Sequence, residues 1–485
     1  MTRRLRAFKR WMRSHGIECS DALELVETAA TNGICVRALC DLREGDLVAT
    51  IPKNACLTIR TSGARAMIEE AGLSGFLGLA VAVMFERSLG PRSPWDAYLQ
   101  LLPERECVPL VWSAEEVDAL LGGTELEKAV KEDRSFIYED WRDSIEPLIH
   151  GPWKLDSSSF GVEQYFSAKT LISSRSFEID SFHGSGMVPL ADLFNHKTGA
   201  ENVHFTSVTS SPSTSDDEGD EDKNDASSDE QSSISFTANS SGDSNTALEM
   251  IIVRDANAGS EVFNTYGSMG NAALLHRYGF TESDNPFDII NIDLTLIVRW
   301  CSSTFSDRYA RARLSSWRKL SYTGCTSQNS EYFEISYNGE PQLELLVLLY
   351  IIFLPEDAFD KLRYMIETLE ITDDCTSVVN MLKITRGNCH KPLKISNGHE
   401  GSSYLKKLLL TENVCGALLS LADLRESLYD SSSLDDDVRR LQECSYINDR
   451  KQYHSLVLRM SERRILQRLR AHASRRSRLK KRKLK

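Results

Sequence analysis

The chain has 485 residues, 41% hydrophobic and 26% charged, with a formal net charge of −13, which is material for two or three domain cores and gives no basic excess pointing to nucleic acid. Much of the acidity is local: residues 206–245 hold ten Asp or Glu and one Lys, leaving −4 elsewhere. Eleven cysteines without a Cys-x-x-Cys pair give neither a zinc pattern nor a disulfide framework, and no apolar run nears the roughly 18 residues of a membrane span, so a soluble, intracellular chain without a metal is expected.

The Arg-rich start, TRRLRAFKRWMR, has the composition of a transit peptide, and Phe8, Trp11 and Met12 also fall on one face of a short helix, so the residues alone leave both readings open. Residues 31–51 alternate apolar residues around a Gly-centred turn at Arg43-Glu44-Gly45-Asp46, which predicts a β-hairpin. From Thr61 to about Trp141 the pattern is helical, with Ser113 and Glu116 spaced as a capping box. Trp95, Tyr98, Leu101 and Leu102 read as core, and the pair Gly75 and Gly78 as close helix packing. Residues 163–180 predict a helix leading into a strand, with Arg175 at the helix end, where a cation is favourable in any case.

Two segments then pack polar residues against apolar runs. In GMVPLADLFNH, Gly186 to His196, burial of Val188, Leu190, Leu193 and Phe194 would leave Asp192, Asn195 and His196 at a core edge, where unpaired polar groups are costly. In EVFNTYGSMGNAALLHRYGF, Glu261 to Phe280, Val262 and Phe263 end a strand, Tyr266-Gly267 makes a sharp exit, and Asn271–Tyr278 has helical spacing. Between them, Phe205 to Ala247 is nearly devoid of apolar residues and predicts a disordered loop joining neighbouring strands. Past Phe287, the run DIINIDLTLIV is strand-like, long amphipathic stretches suggest a helical bundle, and the C-terminal RRSRLKKRKLK reads as a basic tail suited to nuclear import.

On these two segments the chain resembles the SET-domain protein methyltransferases that carry a Rubisco-methyltransferase-type substrate-binding domain, and within them the fungal ribosomal-protein and animal transcription-factor lysine methyltransferases. The resemblance implies an α+β fold: a β-rich SET domain over 1–287, with a pseudo-knot, a helical insertion over about 61–165 and the acidic loop 206–245. An all-α substrate-binding domain over 288–470 and the basic tail 471–485 would follow. It further implies S-adenosyl-L-methionine as cofactor and, as function, methylation of a lysine in a non-histone protein, with ribosomal proteins as one class. A histidine-directed enzyme and a non-catalytic binding module are the alternatives.

By resemblance Tyr266 is catalytic, and Asn32, Ile34, Arg175, Asp192, Asn195, His196, Tyr266, Tyr278 and Phe280 bind cofactor. Asn32 stands where relatives carry an acidic residue, which leaves main-chain contacts through Ile34. Arg175 would grip the cofactor's carboxylate. Phe177 would wall the substrate channel, where histidine-methylating relatives place an Asn. The expected partner is a protein presenting a lysine, with no membrane, no nucleic-acid requirement and a monomeric enzyme in the nucleus and cytoplasm.

Overall fold

The computed structural model describes residues 2–28, 33–207, 247–320, 332–368 and 406–483. The chain divides into two compact units, residues 1–106 with 137–266, and residues 107–136 with 267–485. The helical stretch 61–165 is thereby shared between them. Asn32 and nearly all of the acidic loop 206–245 lie outside the described residues.

In the first unit the opening helix, Arg3–Ser14, is capped by the Thr2 hydroxyl, which accepts from the Leu5 N–H at 3.3 Å. Leu5, Phe8, Trp11 and Met12 are buried, each worth about 1.5–3 kcal/mol, while the arginines mostly keep to the opposite face. Trp11 donates through Nε1 to the Pro94 carbonyl at 2.6 Å.

The strands of this unit are β1 (Glu18–Cys19), β2 (Leu23–Thr28), β3 (Gly33–Ala38), β4 (Leu47–Pro52), β5 (Ser176–Asp180), β6 (Gly184–Met187), β7 (Val203–Ser207) and β8 (Ala247–Ile252). They form a four-stranded sheet of order β1-β4-β8-β7 and two hairpins, β2-β3 and β5-β6. The hairpin expected over 31–51 does not form. The turn is there, with Asp46 N–H on Arg43 O at 3.0 Å, but β3 pairs back onto β2 and β4 pairs with β8. Apolar alternation marks a strand and is silent about its partner, which here is some 200 residues away. The strands flanking the acidic stretch, β7 and β8, are antiparallel neighbours as expected.

The helix Gly75–Leu89 packs with Val162–Arg175 in the same unit. A Cβ at Gly78 would meet Ile59 Cδ1 at 2.7 Å, so this glycine serves close packing. The helix Val162–Arg175 ends at Arg175, and β5 begins with the next residue. No regular strand forms at Val262-Phe263. Instead Glu261 makes an isolated bridge with Arg37, and Val262 N–H reaches Val36 O at 2.8 Å.

The second unit is dominantly helical. Ser113 caps Ala114–Leu121 in the expected capping box, and Trp112, Val117, Leu121, Leu126, Val130, Leu275 and Leu458 share one apolar cluster. The run DIINIDLTLIV divides: β9 (Ile289–Asp293) pairs with β10 (Tyr332–Ser336), and helix starts at Leu294. A β-branched run fits either structure, and Asp293 supplies the break at the N-cap. A larger core gathers Ile290, Phe333, Leu346, Leu349, Phe359 and Leu418. The final helix, Arg450–Lys483, runs without interruption through the start of the basic segment, so residues 471–483 continue a helix.

Arg425, 4% exposed, lies at the centre of this unit's polar interior. Its guanidinium donates to Asn291 O at 3.1 Å, Gly123 O at 2.6 Å and Glu125 Oε1 at 3.0 Å, and lies 3.5 Å from Glu462 Oε2. Tyr429 donates its hydroxyl to the same Glu462 oxygen. Burial pushes the Glu462 carboxyl up to about 8 against the pull of Arg425.

Candidate active site

Leu190 is fully buried and has φ +79°, a conformation side-chain-bearing residues rarely adopt. It turns the chain into the short 3-10 helix Ala191–Leu193, and this brings Phe194, Asn195 and His196 alongside residues 264–266. The two segments meet through a parallel bridge between His196 and Asn264, with Asn264 N–H on Asn195 O at 2.8 Å.

His196, 9% exposed, accepts the Tyr266 main-chain N–H at Nδ1 at 3.0 Å, and its Nε2 lies 3.2 Å from Thr198 Oγ1. Because Nδ1 accepts, the proton of the neutral ring belongs on Nε2. The His196 and Tyr266 rings stack, with centroids 5.1 Å apart and planes at 19°. The Tyr266 hydroxyl donates to Phe194 O at 3.2 Å. Ring, hydroxyl and backbone of Tyr266 are thus each held by the loop 194–196. Asn195 is exposed, and its amide donates to Glu261 Oε1 at 2.7 Å and to Ile34 O at 3.4 Å, so it ties the loop to β3.

Asp192 is enclosed, its side chain 0% exposed. Oδ2 accepts the Tyr98 hydroxyl at 2.9 Å and lies 3.6 Å from Arg175 Nη1, while Oδ1 is buried without a hydrogen bond among the described residues. Arg175 donates through Nε to Glu106 Oε1 at 2.6 Å and through Nη1 to Asp192 O at 3.0 Å. Burial works against its charge, but Glu106 and then Asp192 outweigh that and hold the guanidinium more firmly protonated than usual. Asp192 fares differently. Its carboxyl is pushed up to about 6 by desolvation, with Arg175 and Tyr98 pulling it only part of the way back, because it is sealed while Arg175 leans first on Glu106.

In the first unit Tyr266, His196, Asn195 and Ile34 are thus tied to the loop 194–196, Arg175 is tied to Asp192, and the chain segment 192–196 joins the two groups. Phe177 sits on β5 opposite Gly186, partly exposed, its ring 4.9 Å from that of Phe205. Tyr278 and Phe280 belong to the second unit, with ring centroids 6.3 Å apart, and burial raises the Tyr278 hydroxyl. Sequence reasoning missed Glu106 and Glu261, and it read Tyr98 as core without its bond to Asp192. A lone acidic residue in a loop carries no periodic signal, and Tyr98 is as buried as the phenylalanines around it.

No protein-family model matches the chain. It is 25% identical over 443 residues to an N-lysine methyltransferase, setd6, of Salmo salar, an alignment covering 85% of this chain and 90% of the salmon protein. The mouse protein SETD6, also an N-lysine methyltransferase, is 27% identical over 60% of this chain and 57% of its own length. The yeast ribosomal lysine N-methyltransferase 3 is 25% identical over 55% of this chain and 60% of its own.

Over most of its length the chain is similar to SET-domain protein-lysine methyltransferases.

Two solved structures share the fold of this chain. The SET domain of the Rubisco methyltransferase LSMT bound to lysine and AdoHcy has a TM-score of 0.64 at 19% identity, covering 98% of this chain and 91% of that one. Rubisco LSMT bound to AdoMet has a TM-score of 0.62 at 18% identity, covering 98% and 92%. The chain has no group of His, Cys, Asp and Glu that could hold a metal ion among its described residues, and no described helix is long and apolar enough to cross a membrane.

Proposed function

We propose that the chain uses S-adenosylmethionine to methylate the ε-amine of a lysine in a non-histone protein, with ribosomal proteins the first candidates and the nucleus the main compartment. The observation that carries this reading is the crossing of the loop 194–196 with residues 264–266, which holds the Tyr266 ring against His196 and its hydroxyl on Phe194 O. The names of the salmon, mouse and yeast relatives support the lysine acceptor.

The residues fit such a cofactor. Arg175 has its Nε and Nη1 engaged, while Nη2 makes no hydrogen bond among the described residues, leaving a cationic donor for a carboxylate. Asn195 is exposed beside the Ile34 carbonyl. Asp192 is sealed, so it acts through Arg175 and does not touch the cofactor. Bound S-adenosylmethionine supplies the electrophilic methyl group. Displacement by an amine needs little acid-base machinery, so the protein's part is positioning and electrostatics.

In this scheme Tyr266 is the catalytic residue. Its hydroxyl and the Phe194 carbonyl put two oxygens together, and such oxygens attract polarised C–H groups. The acceptor lysine must be neutral, at a cost of about 4.6 kcal/mol at pH 7 from a reference pKa near 10.4. The Phe177 and Phe205 rings supply apolar surface that disfavours the ammonium form. A phenyl ring cannot orient an imidazole by hydrogen bonding, which is why lysine is preferred to histidine here.

The test is incubation with isotopically labelled cofactor and cell extract lacking the endogenous activity, followed by mass-spectrometric mapping. Methyl-lysine is expected. Methyl-histidine alone, or no transfer, would overturn the reading.

A further inference from the structure

Arg175 offers five N–H donors in a rigid fork, and two of its three nitrogens are already committed within the protein. Glu106 Oε1 takes Nε at 2.6 Å and the Asp192 carbonyl takes Nη1 at 3.0 Å. Glu106 is itself braced. Its main-chain N–H donates to Thr170 Oγ1 at 3.1 Å, and that hydroxyl donates to Ser167 O at 2.8 Å, so the carboxylate is fixed against the same helix that ends in Arg175. Glu106 and Arg175 side chains are only 16% and 22% exposed. A covered ion pair of this kind adds little net stability, and Asp192 already provides the arginine with an anion at 3.6 Å. A second carboxylate at Nε does something the first cannot: it fixes the rotation of the guanidinium about its stem.

We propose that Glu106 is a positioning residue for cofactor recognition: held by Thr170, it locks Arg175 through Nε so that Nη2 is presented to the cofactor's carboxylate. The proposal rests on the reading above that Arg175 receives that carboxylate. Glu106 does not touch the cofactor. It removes a freedom that binding would otherwise have to remove, and orienting one flexible side chain of this kind corresponds to about tenfold in affinity.

The experiment is calorimetric binding of two probes to the full chain: S-adenosylhomocysteine, which keeps the carboxylate, and 5′-methylthioadenosine, which lacks the amino-acid end. Glu106→Asp keeps the charge and the main-chain bond to Thr170 but falls one methylene short of Nε. It should weaken S-adenosylhomocysteine about tenfold and leave 5′-methylthioadenosine within about twofold. Glu106→Gln, whose amide oxygen still accepts from Nε, should bind S-adenosylhomocysteine at least as well as the parent chain. If Glu106→Asp does not fold, Glu106→Leu fills the site in its place with the same expectation.

Unchanged or tighter S-adenosylhomocysteine binding would overturn the proposal, since Glu106 would then be idle or a competitor for Arg175. Equal loss for both probes would overturn it as well, because the disturbance would be general. Arg175→Met, run alongside, separates the two layers. If it fails to distinguish the probes, the carboxylate reading falls and takes the proposal with it; if it distinguishes them and Glu106→Asp does not, the proposal alone falls.

Discussion

The main-chain N–H of Tyr266 donates to Nδ1 of His196 at 3.0 Å, and the two rings stack 5.1 Å apart, so one histidine fixes both the backbone and the aromatic face of the proposed catalytic tyrosine. His196→Ala would take the acceptor from that part-buried N–H, at a cost of at most about 1–3 kcal/mol. His196→Asn, whose Oδ1 can accept near the place of Nδ1, should recover part of it. Denaturant unfolding of the two variants checks this, and equal loss in both would argue that the stacked ring matters and the hydrogen bond does not.

Tyr266→Phe removes the hydroxyl that reaches Phe194 O and keeps the ring against His196. The expected outcome is a fall in kcat of about 10²–10³-fold, the usual effect of losing one aligned polar group at a reacting centre. Affinity for S-adenosylhomocysteine should change little. Turnover near that of the parent chain would remove Tyr266 from catalysis.

Asp192 gives a pH signature. Its folded pKa, up to about 6, lies above the ordinary 3.8, so between those values the folded chain keeps a proton that the unfolded chain releases. Its contribution to stability is therefore fully present below about pH 4 and is lost as pH rises through 6, by at most about 3 kcal/mol. Asp192→Asn should abolish this slope. Melting temperatures of both proteins from pH 4.5 to 7 test it, and parallel curves would assign the titration to another group.

In the second unit, Arg425→Met should cost about 3–5 kcal/mol, since Glu125 and the carbonyls of Gly123 and Asn291 would lose their shared donor in a dry interior. Glu462→Gln should be far milder, because burial already favours the protonated acid near neutral pH. Chemical denaturation ranks the pair, and the opposite order would mean that Glu462 works as an anion.

The basic segment from Arg475 to Lys485 should carry an inert fluorescent protein into the nucleus, as dense Lys and Arg at a chain end is what import receptors read. Fluorescence spread evenly through the cell would leave the segment without an import role.

The most legible features were those set by local spacing. Phe8, Trp11 and Met12 marked a helical face, Ser113 and Glu116 a cap, and Asn271–Tyr278 a helix whose ends match its pattern. What stayed hidden depended on distant partners. The turn at Arg43–Asp46 was readable but the pairing of β4 with β8 was not. Lys53 shows the same limit: it is 3% exposed and bonded to Asp180 at 2.7 Å, yet nothing near it in sequence announces an ion pair. Around Tyr266 the motif residues could be picked out, whereas their supports, Glu106, Glu261 and Tyr98, come from elements whose own patterns indicate only loop or core.

The sharing of residues 107–136 with the second unit matters during synthesis on the ribosome. Trp112, Val117, Leu121, Leu126 and Val130 emerge early, but Leu458, which completes their cluster, follows roughly 330 residues later, a delay of about 15–65 s at ordinary translation speed. For that time an apolar helical segment is tethered in the middle of a unit that is itself still being made. Nascent chains stalled between residues 140 and 450 should accordingly recruit chaperones that hold apolar segments, and release them once the last helix has cleared the exit tunnel.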